Sequence, residues 1–374
     1  MAYRWSRRAF LKLAAAGALA GCVPEVAAPT ELAPQSGAVQ TEAPTAAPTA
    51  TPTATEPVAS PTRAATVPPA SPTPVVLPTE TVAPLPSRGG VVRVRHPGVW
   101  QGDALDPVAL REMVDAAVAR LMGRSEPAAA WAALFAPGER VAIKVNAISG
   151  SSYWTHAALA LAVADRLQAA GVVPEQIVIY DRSTRELEDA GFPVNRDGQG
   201  VRCYGTDGDY RRPHTLLGTE IGLSAILEAC DALINLPLLK AHGISGMSFA
   251  LKNHYGTLDQ PGRFHAPRIV EALGELNALP SIAERTRLVI GDALSICTSG
   301  WHRAVEGDSL VVSRDPLAHE VVGLEMLASA IGEAGGDASF ARAQTGAWLA
   351  HAAGVGLGVA DPAAIELLDI GLGA

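Results

Sequence analysis

Between Val23 and about Ser87 the chain is built mainly of Pro, Thr, Ala, Ser and Val and contains no aromatic residue. Such a segment has too little apolar surface to offset the entropy of ordering a chain. A compact fold is therefore expected only from residues 88–374. Stretches such as Ala43-Pro44-Thr45-Ala46-Ala47-Pro48-Thr49 and Thr51-Pro52-Thr53 favour extended polyproline II. That makes a semi-rigid spacer reaching on the order of 100–200 Å at about 3.1 Å per residue. The expectation is a disordered Pro/Thr/Ala-rich stalk that carries a folded head. Its Thr/Ser-Pro composition also permits O-glycosylation.

The residues before the stalk say what it is tied to. Ser6-Arg7-Arg8-Ala9-Phe10-Leu11-Lys12 matches the core of a twin-arginine export signal. The apolar run from Leu13 to Ala20 is too short to span a bilayer as a stable helix. It closes in Leu19-Ala20-Gly21-Cys22, which has the form of a lipobox. Residues 1–21 are thus read as a twin-arginine lipoprotein signal peptide, residues 22–87 as a lipidated linker and residues 88–374 as the head. Lipidation is expected on Cys22, with at least two acyl chains to hold it firmly. The expected location is extracytoplasmic and lipid-anchored, on the cell surface or the periplasmic side of a membrane. The twin-arginine translocase is the partner during export. It carries cargo already folded, often with a metal or cofactor loaded beforehand. No later segment is apolar for long enough to cross a membrane.

Of the 374 residues, 48% are hydrophobic, enough for a sizeable core, and the formal net charge is -9. No Lys/Arg-rich block follows the signal, so no nucleic-acid partner is expected, because phosphate binding needs concentrated basic charge. Besides Cys22 there are Cys203, Cys230 and Cys297, with no CxxC pair. An iron–sulfur cluster or zinc ribbon held by this chain is not expected. One disulfide with a spare thiol and three buried thiols both remain open.

The head alternates apolar strands with amphipathic helices. Strands are expected at 91–95, 141–146, 177–180, 232–236, 288–291 and 310–312. Helices are expected from Asp106-Pro107 onward, over 157–170, 224–229 and 269–278, and over 316–331. Leu110, Met113, Val114, Ala117, Val118 and Leu121 fall on one helical face. This order predicts an α/β fold with a mostly parallel sheet flanked by helices. Asn146, Asp181, Asn235 and Asp292 close successive strands. In open parallel sheets ligands bind outside the carboxyl ends of strands, so these four residues either crowd a binding rim or merely end strands.

The chemistry concentrates from Asn235 to His265. Two lysines and two histidines, with Asn253, fall between Lys240 and His254 on a glycine-punctuated bend. Lysines supply point charge to an anion, and glycines let backbone N–H groups approach it. Lys240, His242, Lys252, Asn253 and His254 are the candidate catalytic residues, with Lys144, Asn146 and Gly256 as candidate cofactor-binding residues. His242 and His254, with Asp181 and Asp292, are the candidate ligands of a divalent metal; the histidines could instead exchange protons. Lys144 sits on an apolar strand, where a lysine must be paired or lose its charge. Pairing with Asp181 or Asp292 and anion binding both stay open. His265 and His302 read as surface or turn residues, and Trp301-His302-Arg303 as part of a rim.

Leu236-Pro237-Leu238-Leu239-Lys240-Ala241-His242, followed by Leu251-Lys252-Asn253 and Gly256, resembles the signature of domain-of-unknown-function family 362. That signature reads Pro-Lys-x-Lys-x-His and then Leu-Lys-Asn-x-x-Gly. Leu238 stands where the first lysine is usual. Lys144-Val145-Asn146 resembles the family's Lys-x-Asn element, and Asp315-Pro316-Leu317-Ala318-His319-Glu320 its Asp-Pro-Val-Ala-x-Asp, with Glu320 in place of Asp. The resemblance covers about Val141 to Leu327. It implies an α/β fold with an enzymatic or redox-linked role and no established reaction. Several members are fused to ferredoxin-type clusters, whose cysteines this chain lacks. A more distant similarity is to the nickel-pincer lactate racemases. Two functions follow: an exported, metal- or cofactor-dependent enzyme acting on a small anionic substrate, or a non-catalytic lipoprotein that binds a ligand or redox partner.

Overall fold

The computed structural model describes residues 83–148, 153–299 and 304–373. The signal segment, Cys22, the stalk up to residue 82 and Trp301-His302-Arg303 lie outside the described residues.

The head is α/β. Its strands are β1 (Gly90–Arg95), β2 (Trp100–Gln101), β3 (Ala104–Leu105), β4 (Val141–Lys144), β5 (Ile177–Tyr180), β6 (Arg202–Cys203), β7 (Tyr210–Leu216), β8 (Thr219–Ser224), β9 (Ala232–Asn235), β10 (Leu238–His242), β11 (Gly246–Ser248), β12 (Thr286–Cys297), β13 (Ala304–Ser313) and β14 (Glu366–Gly371). The main sheet runs β14-β1-β13-β12-β9-β4-β5-β6. From β12 through β9, β4 and β5 to β6 every pairing is parallel. β13 is antiparallel to both neighbours, and β14 returns parallel to β1. β2 pairs with β3, and β7 with β8, outside this sheet.

Helices cover both faces, because side chains alternate along each strand. Val141 and Ile143 of β4, with Ile177 and Ile179 of β5, pack under α1 (Pro107–Leu121), α2 (Pro127–Ala132) and α3 (Ala157–Ala169). Asp106 caps α1, its Oδ1 accepting from Val108 N at 2.7 Å and Ala109 N at 2.9 Å, which satisfies two of the N–H groups a helix start leaves free. The opposite face, with Ala142, Val178 and Leu233, packs under α6 (Ala250–Asn253), α7 (Ile269–Asn277), α9 (Pro316–Glu333) and α10 (Ser339–Gly354). The short α4 (Thr184–Asp189), α5 (Ala225–Glu228) and α8 (Pro280–Ala283) complete the α-helices among the described residues. None of the helices among the described residues is long and apolar enough to cross a membrane.

One strand differs from its expected length. The run from Leu288 ends neither at Gly291 nor at Asp292 but continues to Cys297. It continues because β10 takes over from β9 as its parallel neighbour, pairing Leu238 with Asp292 and Lys240 with Cys297. Asp292 N donates to Pro237 O at 2.8 Å, at the handover. This switch carries Lys240 and His242 out beyond the carboxyl ends of β9 and β4. None of Cys203, Cys230 and Cys297 forms a disulfide, and all three are buried.

Candidate functional site

The site is built on Lys144, the last residue of β4. Alternation sends its side chain to the face covered by α6, and it is completely buried. Its Nζ donates to Asp181 Oδ1 at 2.7 Å, to Val145 O at 2.6 Å and to Asn253 Oδ1 at 3.3 Å. Burial pushes the Lys144 pKa down while the Asp181 carboxylate holds it up. Asp181, just after β5, also accepts from Ala147 N at 2.6 Å and Arg182 N at 2.8 Å. Of the two pairings open from sequence, the one with Asp181 is the one observed.

Asn253, at the end of α6, clasps two strand ends. Its Nδ2 donates to Lys144 O at 3.1 Å and to Asn235 Oδ1 at 2.8 Å, and Asn235 Nδ2 donates to Ala250 O at 2.8 Å. Asn235 and Asn253 therefore seat α6 on the sheet. Gly256 fits over the ion pair for want of a side chain: a Cβ there would lie 2.3 Å from Asp181 Oδ1 and 2.7 Å from Lys144 Nζ.

Above this floor opens a cavity of about 320 Å³, lined among others by Asn146, Asp181, Lys240, His242, Lys252 and His265. That volume suits a small molecule. Lys240 is 2% exposed, and its Nζ donates to Asn146 Oδ1 at 2.7 Å. Burial pushes its pKa down to about 8. Lys252 is also buried, with Nζ 3.1 Å from His265 Nε2 and 3.8 Å from the centre of the Tyr255 ring. Burial, and then the charge of Lys240, push it down to about 7. Among the described residues Lys252 forms no ion pair with a carboxylate within 4.0 Å. At the rim Arg182 pairs with Glu186.

The tautomers of the two cavity histidines follow from their partners. His242 Nδ1 accepts from the N–H groups of Ile244 and Ser245, each at 3.2 Å. In the neutral ring the proton is then on Nε2, as a donor. His265 Nδ1 lies 3.0 Å from Pro261 O, which can only accept. Its proton is on Nδ1, leaving the Nε2 lone pair to accept from Lys252. The rings lie 6.0 Å apart, inclined by 24°. Burial pushes the pKa of His242 down to about 3 and also lowers that of His265.

Of the four residues read from sequence as metal ligands, Asp181 and His242 line this cavity, whereas His254 and Asp292 do not. His254 is 1% exposed and lines a separate hollow with Asn235 and Asn277. Its Nδ1 contacts Thr257 Oγ1 at 3.4 Å. Lys252, Asn253 and His254 are successive, so helical steps of about 100° aim them in different directions. Asp292 is held by His156, whose backbone N and Nδ1 lie 2.9 Å and 2.8 Å from Oδ2. Among the described residues no three His, Cys, Asp or Glu side chains converge to hold a metal ion. The donor chemistry agrees: His242 presents N–H rather than a lone pair, and Asp181 already accepts three hydrogen bonds. A resident divalent metal does not fit this set.

Sequence reasoning missed His265, which the turn after Pro261 folds back against Lys252, and Tyr255, whose OH donates to Phe264 O at 2.6 Å and fixes that turn. A signal for the site did exist in the scarcity of lysine, since three of the chain's four lysines lie here. The sequence model of DUF362, a domain of unknown function, matches residues 141–325. No curated protein matches the chain. Among solved structures, the lactate racemase apoprotein from Thermoanaerobacterium thermosaccharolyticum matches with a TM-score of 0.37 and 11% identity, over 68% of this chain and 59% of that one. A Thermotoga maritima protein matches with a TM-score of 0.40 and 13% identity, over 62% of this chain and 60% of that one. The chain thus spans less than two thirds of the length of either structure.

Proposed function

Because the chain belongs to the domain-of-unknown-function family DUF362, whose name prescribes no reaction, we propose its function from the site itself: an exported, membrane-tethered lipoprotein whose head is an enzyme acting on a small anionic substrate. One observation carries the enzymatic part. Lys252 and His265 form a hydrogen-bonded acid–base pair at 3.1 Å inside a cavity that also presents Lys240. Two ammonium groups attract negative charge, and His242 Nε2–H adds a directed donor. Lys252 and His265 both lose charge easily, because burial disfavours their cations. A proton can therefore pass between Lys252 Nζ and His265 Nε2 near neutral pH, which suits general acid–base work. Lys144, Asp181, Asn253 and Gly256 form the floor that holds these groups.

Export and lipid attachment rest on Ser6–Lys12 and the Leu19–Cys22 lipobox. Mass spectrometry of the membrane-extracted protein should find the chain beginning at an acylated Cys22; a soluble, uncleaved chain would remove that half of the proposal. A metabolite screen with the natively exported protein tests the other half. Turnover of a small anion that is lost in Lys252→Met supports the enzyme. Binding of such an anion without turnover supports a ligand-delivering lipoprotein instead. Elemental analysis of the same preparation should find no stoichiometric divalent metal.

A further inference from the structure

The chain has four lysines among its 29 basic residues, and arginine supplies all the others. Lys12 lies in the export motif. The remaining three, Lys144, Lys240 and Lys252, are all buried at this one site. Arginine grips carboxylates at least as well as lysine, but its guanidinium stays protonated in proteins, whereas an amine can give up its proton and attack. Lysine is thus confined, in the head, to the place where that difference counts.

The three amines have distinct surroundings. Lys144 is engaged by Asp181. Lys240 donates to Asn146. Lys252 faces the cavity, with the lone pair of His265 Nε2 as its hydrogen-bond acceptor. We propose that Lys252 is an imine-forming nucleophile and that the small anion is a 2-oxo acid, its carboxylate held by Lys240 and its carbonyl carbon presented to Lys252 Nζ. This rests on the anion-binding reading of the cavity and names the substrate class within it. A 2-oxo acid fits because one cation, Lys240, lies beside one amine, and the cavity of about 320 Å³ suits a small ligand.

The step balances without any co-reactant. The Lys252 ammonium passes a proton to His265 Nε2. The freed lone pair forms a C–N bond to the carbonyl carbon, and the π electrons move to oxygen. That oxygen takes a proton from the new N–H to give a carbinolamine. The His265 imidazolium then returns its proton to the hydroxyl, the C–O bond breaks, water leaves, and the nitrogen lone pair closes the C=N bond of a protonated imine. Cation–π contact with Tyr255, 3.8 Å from Nζ to the ring centre, opposes the first transfer. Burial and the neighbouring charge of Lys240 favour it, pushing the Lys252 pKa down to about 7.

The experiment uses the full chain, incubated with pyruvate or glyoxylate and then borohydride, which reduces an imine to a stable secondary amine. Intact-mass and peptide mapping should find one adduct, on Lys252, absent from Lys252→Arg and Lys252→Met with melting curves confirming that each variant folds. Acetone, which lacks the carboxylate, should label at least tenfold less, and Lys240→Gln should shrink that preference. Oxamate has the same shape but forms no imine, so it separates the two readings by its effect on the melting temperature. If oxamate stabilises the protein and no adduct forms on Lys252, imine chemistry is wrong and anion binding stands. If neither occurs, both fall. An adduct on Lys240 or the α-amine in place of Lys252 also overturns the assignment.

Discussion

Replacing Gly256 by alanine tests whether the Lys144–Asp181 pair is the rigid floor of the site. The new methyl carbon would lie 2.3 Å from Asp181 Oδ1, 2.7 Å from Lys144 Nζ and 3.1 Å from Lys144 Cε. Two of these contacts must open by roughly an ångström to reach ordinary van der Waals separation. Neither partner has slack. Asp181 is tied to Lys144, Ala147 N and Arg182 N, and Lys144 also to Val145 O and Asn253. Overpacking alone costs about 1–3 kcal/mol, and disrupting a buried pair costs about 3–5 kcal/mol. These overlap, so the expected loss is about 3 kcal/mol, or a Tm lower by about 6–12 °C for a domain of this size. Thermal and urea unfolding followed by circular dichroism would measure it. Gly243→Ala is the control, since a Cβ there meets nothing within 4 Å. A Gly256→Ala protein within about 1 kcal/mol of the parent, or a Gly243→Ala protein equally damaged, would refute the reasoning.

Anion affinity should be highest in mild acid and fall as pH rises through about 7 and then about 8, where Lys252 and Lys240 lose their protons. Calorimetric titration with oxamate should show Kd rising up to about tenfold per pH unit once one required proton is lost; a flat profile across this range would exclude a role for the two ammonium groups. Glu320 is fully buried, accepts from Leu251 N at 2.6 Å, and has a pKa pushed up by burial to about 8. It is therefore mainly a neutral acid at pH 7, and its contribution is full below its ordinary value of 4.5 and is lost as pH rises toward 8. Glu320→Gln keeps the acceptor for Leu251 N, so near pH 4.5 it should alter stability little, and relative to the parent it should gain as pH rises toward 8. Unfolding measured from about pH 5 to 8 that shows the opposite trend would mean a partner holds the Glu320 charge.

The parts of the fold legible in the sequence are those where one residue pattern dictates one environment. Val141–Lys144, Ile177–Tyr180 and Ala232–Asn235 are short runs buried on both faces, which only the interior of a parallel sheet accommodates. The six apolar residues from Leu110 to Leu121 repeat at helical spacing, and all are buried. What was illegible depends on pairing at a distance. Tyr210–Leu216 contains Arg211, Arg212, Pro213 and His214, so no alternating apolar signal marks it; β8 makes it a strand. Asp292 looks like the end of a strand, yet β10 extends that strand past it. In the site, the Lys240–Lys252 segment was visible as an unusual cluster of cations. His254 looked like its natural companion and is turned away by a fraction of a helical turn, whereas His265 is returned by a bend that local sequence does not specify.

Lys144 and Lys252 show most clearly why a site has to be seen and not only read. They are the same residue type, both buried, both within family motifs, and each lies within hydrogen-bond reach of an acceptor. Burial presses each toward the neutral amine. The difference lies in the charges around each amine, above all in the acceptor. A carboxylate 2.7 Å from Lys144 opposes that pressure with a full negative charge, which in a low-dielectric surrounding is worth far more than a neutral hydrogen bond. An imidazole lone pair 3.1 Å from Lys252 supplies no charge, and the Lys240 ammonium adds repulsion. The first lysine is thereby fixed as structure and the second left able to give up its proton. Placing a carboxylate beside Lys252 as well should therefore give it the role of Lys144: a chain carrying His265→Asp should hold Lys252 protonated well above neutral pH and lose its borohydride-trapped adduct, while one still forming that adduct at the parent's rate would show that the acceptor does not set the amine's reactivity.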